Sequence, residues 1–150
     1  MSFKITGSGS CIPSVIKENI SFLNNSFYDE CGNKFGIDNK TIIDKFNSIT
    51  GINQRKYADA DLTTSDLAYI AAKSAIKDAD IDPEALDYII VAHNFGDITC
   101  NSKQIDTLPS LASRVKSKLK IKNPKCIAYD ILFGCPGWVE GMIQAQAFIK

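Results

Sequence analysis

The run Tyr88-Ile89-Ile90-Val91-Ala92 constrains the fold more than any other part of the sequence. It is rich in β-branched residues, and no polar residue alternates with the apolar ones. A short strand without a polar face is typical of a parallel sheet covered by helices on both sides. We therefore predict that residues 88–92 form a strand that is buried on both faces.

Further strands and helices alternate with this run. Gly7 and Gly9 indicate a turn after the first short strand, and Thr63 and Asp66 have the spacing of a helix-capping box. Such alternation is typical of an α/β layered architecture with parallel strands. The predicted strands cover residues 4–6, 88–92 and 125–131, and the predicted helices cover residues 39–48, 63–79, 108–119 and 136–150.

Composition narrows the possible partners. The chain has 17 Lys and Arg against 17 Asp and Glu in 150 residues, so no overall field favours nucleic acid or an anionic membrane. No apolar run is long enough to span a bilayer, and Met1-Ser2-Phe3-Lys4 does not open a signal segment. The single histidine and the absence of a CxxC motif make a metal site unfavourable. We predict a cytoplasmic protein with free thiols and with neither nucleic acid nor a membrane as partner.

The last helix is apolar on nearly every side. From Pro136 onward, its polar residues are only Glu140, Gln144, Gln146 and Lys150. Such a helix is predicted to be mostly buried, yet it has neither a glycine nor a polar tail that would cap its end. We therefore expect the sequence to stop inside a larger protein.

Cys135 is the candidate nucleophile. Gly134-Cys135-Pro136-Gly137 joins a predicted strand to the last helix, with Pro136 expected at the first helical position. The partial positive charge at a helix start favours thiolate over thiol, and the flanking glycines allow a substrate to approach. The alternative is an ordinary buried cysteine in a tight turn. The other cysteines, Cys11, Cys31, Cys100 and Cys126, are expected to be core or loop thiols.

Several motifs occur in the order typical of one enzyme family. They are Ile5-Thr6-Gly7-Ser8-Gly9 with Pro13, Thr50-Gly51-Ile52 with Arg55, Ser65-Asp66-Leu67-Ala68, Ala71-Ala72, residues 87–92, Leu108-Pro109-Ser110, and Ala128-Tyr129-Asp130 five residues before Cys135. Together they resemble the amino-terminal half of β-ketoacyl-ACP synthase III, a family of thiolase-fold condensing enzymes. The resemblance spans nearly the whole chain, and residues 1–150 are accordingly interpreted as that half alone.

The resemblance implies a homodimer of five-layered αβαβα subunits, in which this half supplies a mixed sheet flanked by helices and a buried helix that carries the cysteine. Cys135 would take an acyl group from acyl-CoA or acyl-ACP as a thioester, and its backbone N–H would form part of an oxyanion hole. Malonyl-ACP would then be decarboxylated to yield a β-ketoacyl product, with acyl carrier protein as partner and no tightly bound cofactor. The family's catalytic His and Asn belong to the carboxy-terminal half, so this half alone is expected to be inactive.

The expected acyl pocket involves Leu108, His93, Asn94 and Phe133. Leu108 falls where many family members carry an aromatic residue that reaches into the partner's site, and a smaller side chain there would admit a longer acyl group. His93 is expected to have a local structural or entrance role. The polar connector 96–107 between these residues is either functional or an ordinary surface insertion.

Other readings stay open. In 3-hydroxy-3-methylglutaryl-CoA synthases a glutamate follows the strand of residues 88–92, whereas this chain has Asn94 there and offers only Asp97 as an acid nearby. A second alternative is a non-catalytic dimerisation subunit of the same fold, and a third is acyl transfer or hydrolysis without condensation.

Lys45 and Ile49 occupy a segment where acetyl-CoA-using members have Trp and Arg, which leaves the acyl donor open. The basic run from Arg114 to Lys125 is expected to be a solvated surface rather than one docking patch.

Overall fold

The computed structural model of the protein describes residues 3–149. The chain divides into two compact units, one formed by residues 13–59 and the other by residues 3–12 together with 60–149. Strands and helices alternate along the chain, as the sequence predicts. In chain order the elements are β1 (Val15–Glu18), α1 (Asn39–Thr50), β2 (Gln54–Tyr57), α2 (Thr64–Ala79), β3 (Tyr88–His93), α3 (Leu111–Lys118), β4 (Ile127–Leu132) and α4 (Gly137–Phe148).

The unit of residues 13–59 contains a two-stranded antiparallel sheet that the sequence analysis does not predict. β1 and β2 pair with Val15 opposite Tyr57. Residues 54–57 carry Gln, Arg and Lys before the tyrosine and have no apolar face, so no local pattern marks them as a strand.

Helix α1 provides the core of the same unit. Its Ile42 and Ile43 are buried, as their spacing predicts. The ring of Phe46 packs edge-on against Phe22 and Phe27, with ring centroids 6.3 and 5.8 Å apart. Edge-to-face aromatic pairs of this kind add to the free energy gained by burial.

The larger unit contains a parallel pair of strands. β3 and β4 run in register from the Tyr88–Ile127 pair to the His93–Leu132 pair, which confirms the predicted parallel arrangement. The strand residues are mostly half-buried in the described chain, whereas burial on both faces was predicted for β3. The two sheets are separate two-stranded pairs within residues 3–149, so the expected mixed sheet is not formed by these residues.

The core of this unit lies around α3. Helix α3 contacts α2 on one side and both strands on the other. The most buried apolar side chains belong to α3 and to the loop that follows it; they are Leu111, Ala112, Val115, Ile121 and Cys126. Helix α3 therefore joins α2 to the two parallel strands.

Helix α2 begins with the predicted capping box. The Thr63 hydroxyl accepts a hydrogen bond from the Asp66 backbone N–H, and the Asp66 carboxylate accepts one from the Thr63 N–H at 3.0 Å. Lys118 of α3 also donates to Asp66, at 2.5 Å. The Lys118 ammonium, followed by the hydrogen bonds from Thr63, lowers the pKa of Asp66 from 3.8 to about 2.

Replacing Lys118 by Met is expected to make stability less sensitive to acid. Because the pKa of Asp66 is lower in the folded protein than in the unfolded chain, the ionised carboxylate stabilises the fold above about pH 4. This contribution is lost as the pH falls toward about 2. In K118M the pKa of Asp66 returns toward its ordinary value, so the free energy of unfolding should change less across this window.

Urea unfolding at several pH values measures this effect, with Lys125→Met as the control. Lys125 is exposed, and its side chain makes no hydrogen bond or ion pair within residues 3–149. We expect K125M to keep the acid dependence of the wild type. A K118M protein with unchanged acid dependence would show that the ion pair does not control Asp66.

The prediction of a strand at residues 4–6 is wrong. Residues 3–14 form no strand, and the segment with Gly7 and Gly9 lies against α2. A Cβ added to Gly7 would lie 2.6 Å from the carbonyl oxygen of Ala75, and one added to Gly9 would lie 2.5 Å from the Ala75 nitrogen. The two glycines therefore allow close contact with the backbone of α2. Local sequence alone does not distinguish this use of glycine from a turn.

Substitution of Gly9 by Ala is expected to destabilise the larger unit by about 2 kcal/mol, because a methyl group at that distance from backbone atoms forces the segment away from α2. Gly36→Ala is the matched control, since a Cβ there meets no atom within 4 Å. Urea unfolding followed by circular dichroism compares the two variants. Equal stability of G9A and G36A would contradict the close contact.

Helix α4 packs on both strands but stays largely exposed. The Tyr129 hydroxyl donates to Gln144 Oε1 at 2.7 Å, and the Tyr88 ring stacks on Phe148 with centroids 4.4 Å apart. Within the described part of the helix only Gly137 is buried, so the burial predicted for this helix is not reached in this chain. The exposed apolar side chains are Trp138, Val139, Ile143 and Phe148. None of the helices in residues 3–149 combines the length and hydropathy needed to cross a membrane.

Candidate active site

Cys135 lies in the turn between β4 and α4. The Gly137 N–H donates to the Gly134 carbonyl at 2.8 Å and closes this turn. Pro136 is the residue before the first helical position, with φ −76° and ψ −1°, so the helix starts one residue later than predicted. No side chain caps the helix start, which leaves backbone N–H groups directed toward the region in front of the helix.

Gly137 fixes the turn against the end of β3. A Cβ at this position would lie 3.2 Å from Ala92 Cβ and 3.3 Å from Phe133 Cβ, which is tighter than ordinary contact. Any larger residue would push the start of α4 away from the sheet. The turn that carries Cys135 is therefore held close to the carboxyl ends of both parallel strands, where α/β proteins commonly bind ligands.

The Cys135 residue is accessible. It is exposed, and its backbone N–H donates no hydrogen bond to any residue in the described range 3–149. Cys31 and Cys100 are also exposed, Cys11 is half-buried and Cys126 is buried. Exposure alone thus does not single out Cys135, whereas its place before an uncapped helix does.

His93 ends β3 and is fully engaged. Its ring is buried; Nδ1 accepts a hydrogen bond from the Gly96 N–H at 2.9 Å, and Nε2 lies 3.0 Å from Asp130 Oδ2. Because Nδ1 is an acceptor, the proton is assigned to Nε2, which donates to the carboxylate. Both ring nitrogens are satisfied, so the ring has no free nitrogen with which to act as a base toward Cys135.

Asp130 links its own strand β4 to β3 and to the start of α3. Besides His93, its carboxylate accepts hydrogen bonds from the N–H groups of Leu111 at 2.7 Å and Ala112 at 2.8 Å, at the start of α3. A half-buried carboxylate at this position compensates the partial positive charge of the helix start. The sequence shows Asp130 only as part of a motif; its only local signal is a carboxylate within an apolar strand.

The other predicted pocket residues are divided between two places. Phe133 is near the cysteine turn, and its N–H donates to the His93 carbonyl at 3.1 Å. Asn94 directly follows His93 and is exposed. Leu108 instead precedes the start of α3, next to a cis peptide bond with Pro109, and is 82% exposed. The structure thus brings Phe133, His93 and Asn94 together at the strand ends and places Leu108 on the neighbouring helix start.

Asp97 is engaged in a structural role. It is 4% exposed and accepts hydrogen bonds from both the backbone N–H and the hydroxyl of Ser65, each at 2.7 Å. Arg114 donates to it as well, at 3.0 Å. Both carboxylate oxygens are thus engaged by donors within the protein, which leaves neither free for a substrate and weakens the 3-hydroxy-3-methylglutaryl-CoA synthase reading.

Half of the basic run is engaged within the protein. Arg114 and Lys118 pair with carboxylates, and Lys116 donates to the carbonyls of Asn123 and Cys126. The remaining members, Lys120, Lys122 and Lys125, are exposed. The run therefore does not form one continuous basic surface.

No protein-family model matches the sequence, but solved structures do. The 3-oxoacyl-[acyl-carrier-protein] synthase III of Aquifex aeolicus superimposes with a TM-score of 0.70 and 27% identity, over 99% of this chain and 40% of that protein. The corresponding enzyme of Xanthomonas oryzae gives a TM-score of 0.75 and 25% identity, with the same coverage. OleA of Xanthomonas campestris gives 0.70 and 25%, over 97% of this chain and 38% of that protein.

These similarities confirm two predictions. The chain has the thiolase fold, and its resemblance to β-ketoacyl-ACP synthase III extends along nearly its whole length. The chain spans about 40% of the length of the solved structures that it matches, which fits the amino-terminal half.

Proposed function

We propose that this chain is the acyl-accepting half of a condensing acyltransferase of the β-ketoacyl-ACP synthase III type. The observation that carries the proposal is the position of Cys135, exposed in the turn before an uncapped helix start and held at the carboxyl ends of two parallel strands. A thiol in this place is accessible to an acyl thioester, and the uncapped helix start leaves backbone N–H groups in front of the helix.

The chemistry has two steps. Cys135 Sγ attacks the carbonyl carbon of an acyl thioester; a new C–S bond forms, and the CoA or carrier-protein thiol leaves with a proton. Malonyl-ACP then loses CO₂, and the resulting carbanion attacks the acyl-enzyme. A C–C bond forms, the C–S bond to Cys135 breaks, and the released thiolate takes up a proton from water. The free N–H of Cys135 supports a role as an oxyanion-hole donor in both steps.

The second step needs groups beyond residues 3–149. A developing enolate must be stabilised by a hydrogen-bond donor, and the single histidine of this chain already donates its ring proton to Asp130. We therefore assign enolate stabilisation to the His and Asn that the resemblance places in a carboxy-terminal half. Acyl carrier protein as partner and a homodimer with Leu108 directed into the partner's acyl pocket complete the proposal.

The test is product analysis with the full-length protein. Intact mass spectrometry after incubation with acyl-CoA or acyl-ACP should show one acyl adduct on Cys135, and addition of malonyl-ACP should release CO₂ and form β-ketoacyl-ACP. Acyl adducts that only hydrolyse would favour acyl transfer without condensation. Absence of any adduct on Cys135 would rule out the proposal.

The exposed apolar surface favours one other function. Trp138 is 69% exposed and Val139 and Ile143 are more than half exposed on the same helix, which suits association with another protein surface. A non-catalytic dimerisation subunit would show this association without acylation. Sedimentation of the full-length protein, combined with the mass measurement above, separates the two functions.

A further inference from the structure

The connector between β3 and α3 is closed at its base. The N–H of Asp97 donates to the carbonyl of Asp106 at 2.8 Å, and the N–H of Asp106 donates to the carbonyl of Asp97 at 2.9 Å. These two bonds form an isolated antiparallel bridge, so residues 98–105 project as a loop from a fixed base. The loop itself is mostly exposed.

A single guanidinium holds this base. Arg114 of α3 donates from Nη1 to Asp97 Oδ2 at 3.0 Å, and its Nη2 forms an ion pair with Asp106 Oδ1 at 2.9 Å, although without hydrogen-bond alignment. Its Nε donates to the Pro109 carbonyl at 2.9 Å. Burial lowers the pKa of Arg114, but Asp106 and Asp97 outweigh this effect and raise it. One planar side chain therefore fixes both ends of the loop and the residue that follows Leu108.

Leu108 is an exposed apolar side chain on a rigid support. It is 82% exposed, whereas its neighbour Pro109 is bonded to Arg114, and Ser110 caps α3 by accepting from the Ser113 N–H. A leucine that is this exposed gains nothing from burial within its own chain. The backbone that carries it is nevertheless held by Arg114 and by Asp130 through the Leu111 N–H.

We infer that Arg114 is a positioning residue that determines acyl-chain specificity: by joining Asp97, Asp106 and the Pro109 carbonyl, it fixes the direction in which Leu108 projects into the partner subunit's acyl pocket. The inference rests on the proposed function, because it assumes that Leu108 contacts the acyl chain. Lysine is not expected to substitute, because its three N–H donors radiate from one nitrogen and do not match acceptors spread around a planar guanidinium.

The first experiment tests the specificity of the full-length protein. Acyl donors of graded chain length are compared by kcat/KM for the wild type and for R114Q, R114K and D106N. We expect R114Q and R114K to reduce the ratio between the preferred and the disfavoured chain lengths by about 10-fold. D106N weakens only the ion pair between Arg114 and Asp106 and leaves Arg114 paired with Asp97. It should shift the ratio in the same direction. This variant keeps the test valid if the Arg114 variants fold poorly. Lys103→Gln, in the exposed loop, is the control and should keep the wild-type ratio.

A double-mutant cycle with Leu108→Ala distinguishes positioning from general damage. If Arg114 acts through Leu108, R114Q should have no further effect on the chain-length ratio in the L108A background. Additive effects of L108A and R114Q would overturn the inference. A uniform fall in kcat/KM for all chain lengths would also overturn it, because it would reveal a structural role only.

Hydrogen exchange gives a readout that does not depend on activity. The Asp97 and Asp106 amides should exchange faster in R114Q than in the wild type, while the buried middle of α3 should be unchanged. Unchanged exchange at both amides would show that Arg114 does not hold the base of the loop, and it would overturn the inference. If the wild type forms no acyl adduct on Cys135, the proposed function fails, and the specificity role of Arg114 fails with it. Faster exchange at these amides in R114Q would then show only that Arg114 holds the base of the loop.

Discussion

Replacing Cys135 by Ser in the full-length protein is expected to reduce β-ketoacyl formation by at least about 10³-fold and to abolish the acyl adduct. Serine nearly keeps the size of the side chain, but a hydroxyl without an adjacent base is a far weaker nucleophile than a thiol. The loss should therefore appear in kcat, with little change in stability, because Cys135 is exposed and its turn is closed by backbone bonds. Adduct formation is measured by intact mass spectrometry, and turnover by CO₂ release.

Cys100→Ser is the matched control. Cys100 is also exposed but lies in the connector loop, away from any helix start. C100S should keep wild-type turnover and adduct formation. A C135S protein that still forms β-ketoacyl product would place the nucleophile elsewhere and remove the basis of the proposed function.

Replacing Asp130 by Ala is expected to lower the free energy of unfolding of the larger unit by about 3–5 kcal/mol. The substitution leaves three donors without an acceptor: the N–H groups of Leu111 and Ala112 and the His93 ring. D130N should cost roughly half as much, because its amide oxygen still accepts while its NH₂ group faces other donors.

Asp87→Ala is the control for this second result. Asp87 is exposed, and its side chain makes no hydrogen bond within the described residues, so D87A should change stability by less than about 0.5 kcal/mol. Urea unfolding followed by circular dichroism compares the variants. A D130A protein as stable as D87A would show that the carboxylate does not hold α3 on the sheet.

The candidate site was predictable in part. Cys135 was identified because a glycine-flanked cysteine between a strand and a helix is a local pattern, and the resemblance supported it. The engagement of His93 and Asp97 was not predictable, since their partners Asp130 and Arg114 lie 37 and 17 positions away in the sequence. For the same reason no local pattern indicates that Arg114 closes the base of the connector.

Local patterns decided where the helices lie, that β3 and β4 are parallel strands, and that a cysteine precedes the last helix. Helix caps, apolar spacing and strand composition depend on residues within a few positions of one another, so they can be read directly. Tertiary structure alone decided that β1 pairs with β2, that Gly7 and Gly9 pack on α2, and that Asp130 and Arg114 tie α3 to its neighbours. Those outcomes depend on contacts between residues far apart in the sequence. Such contacts contribute to stability only when folding brings the residues together.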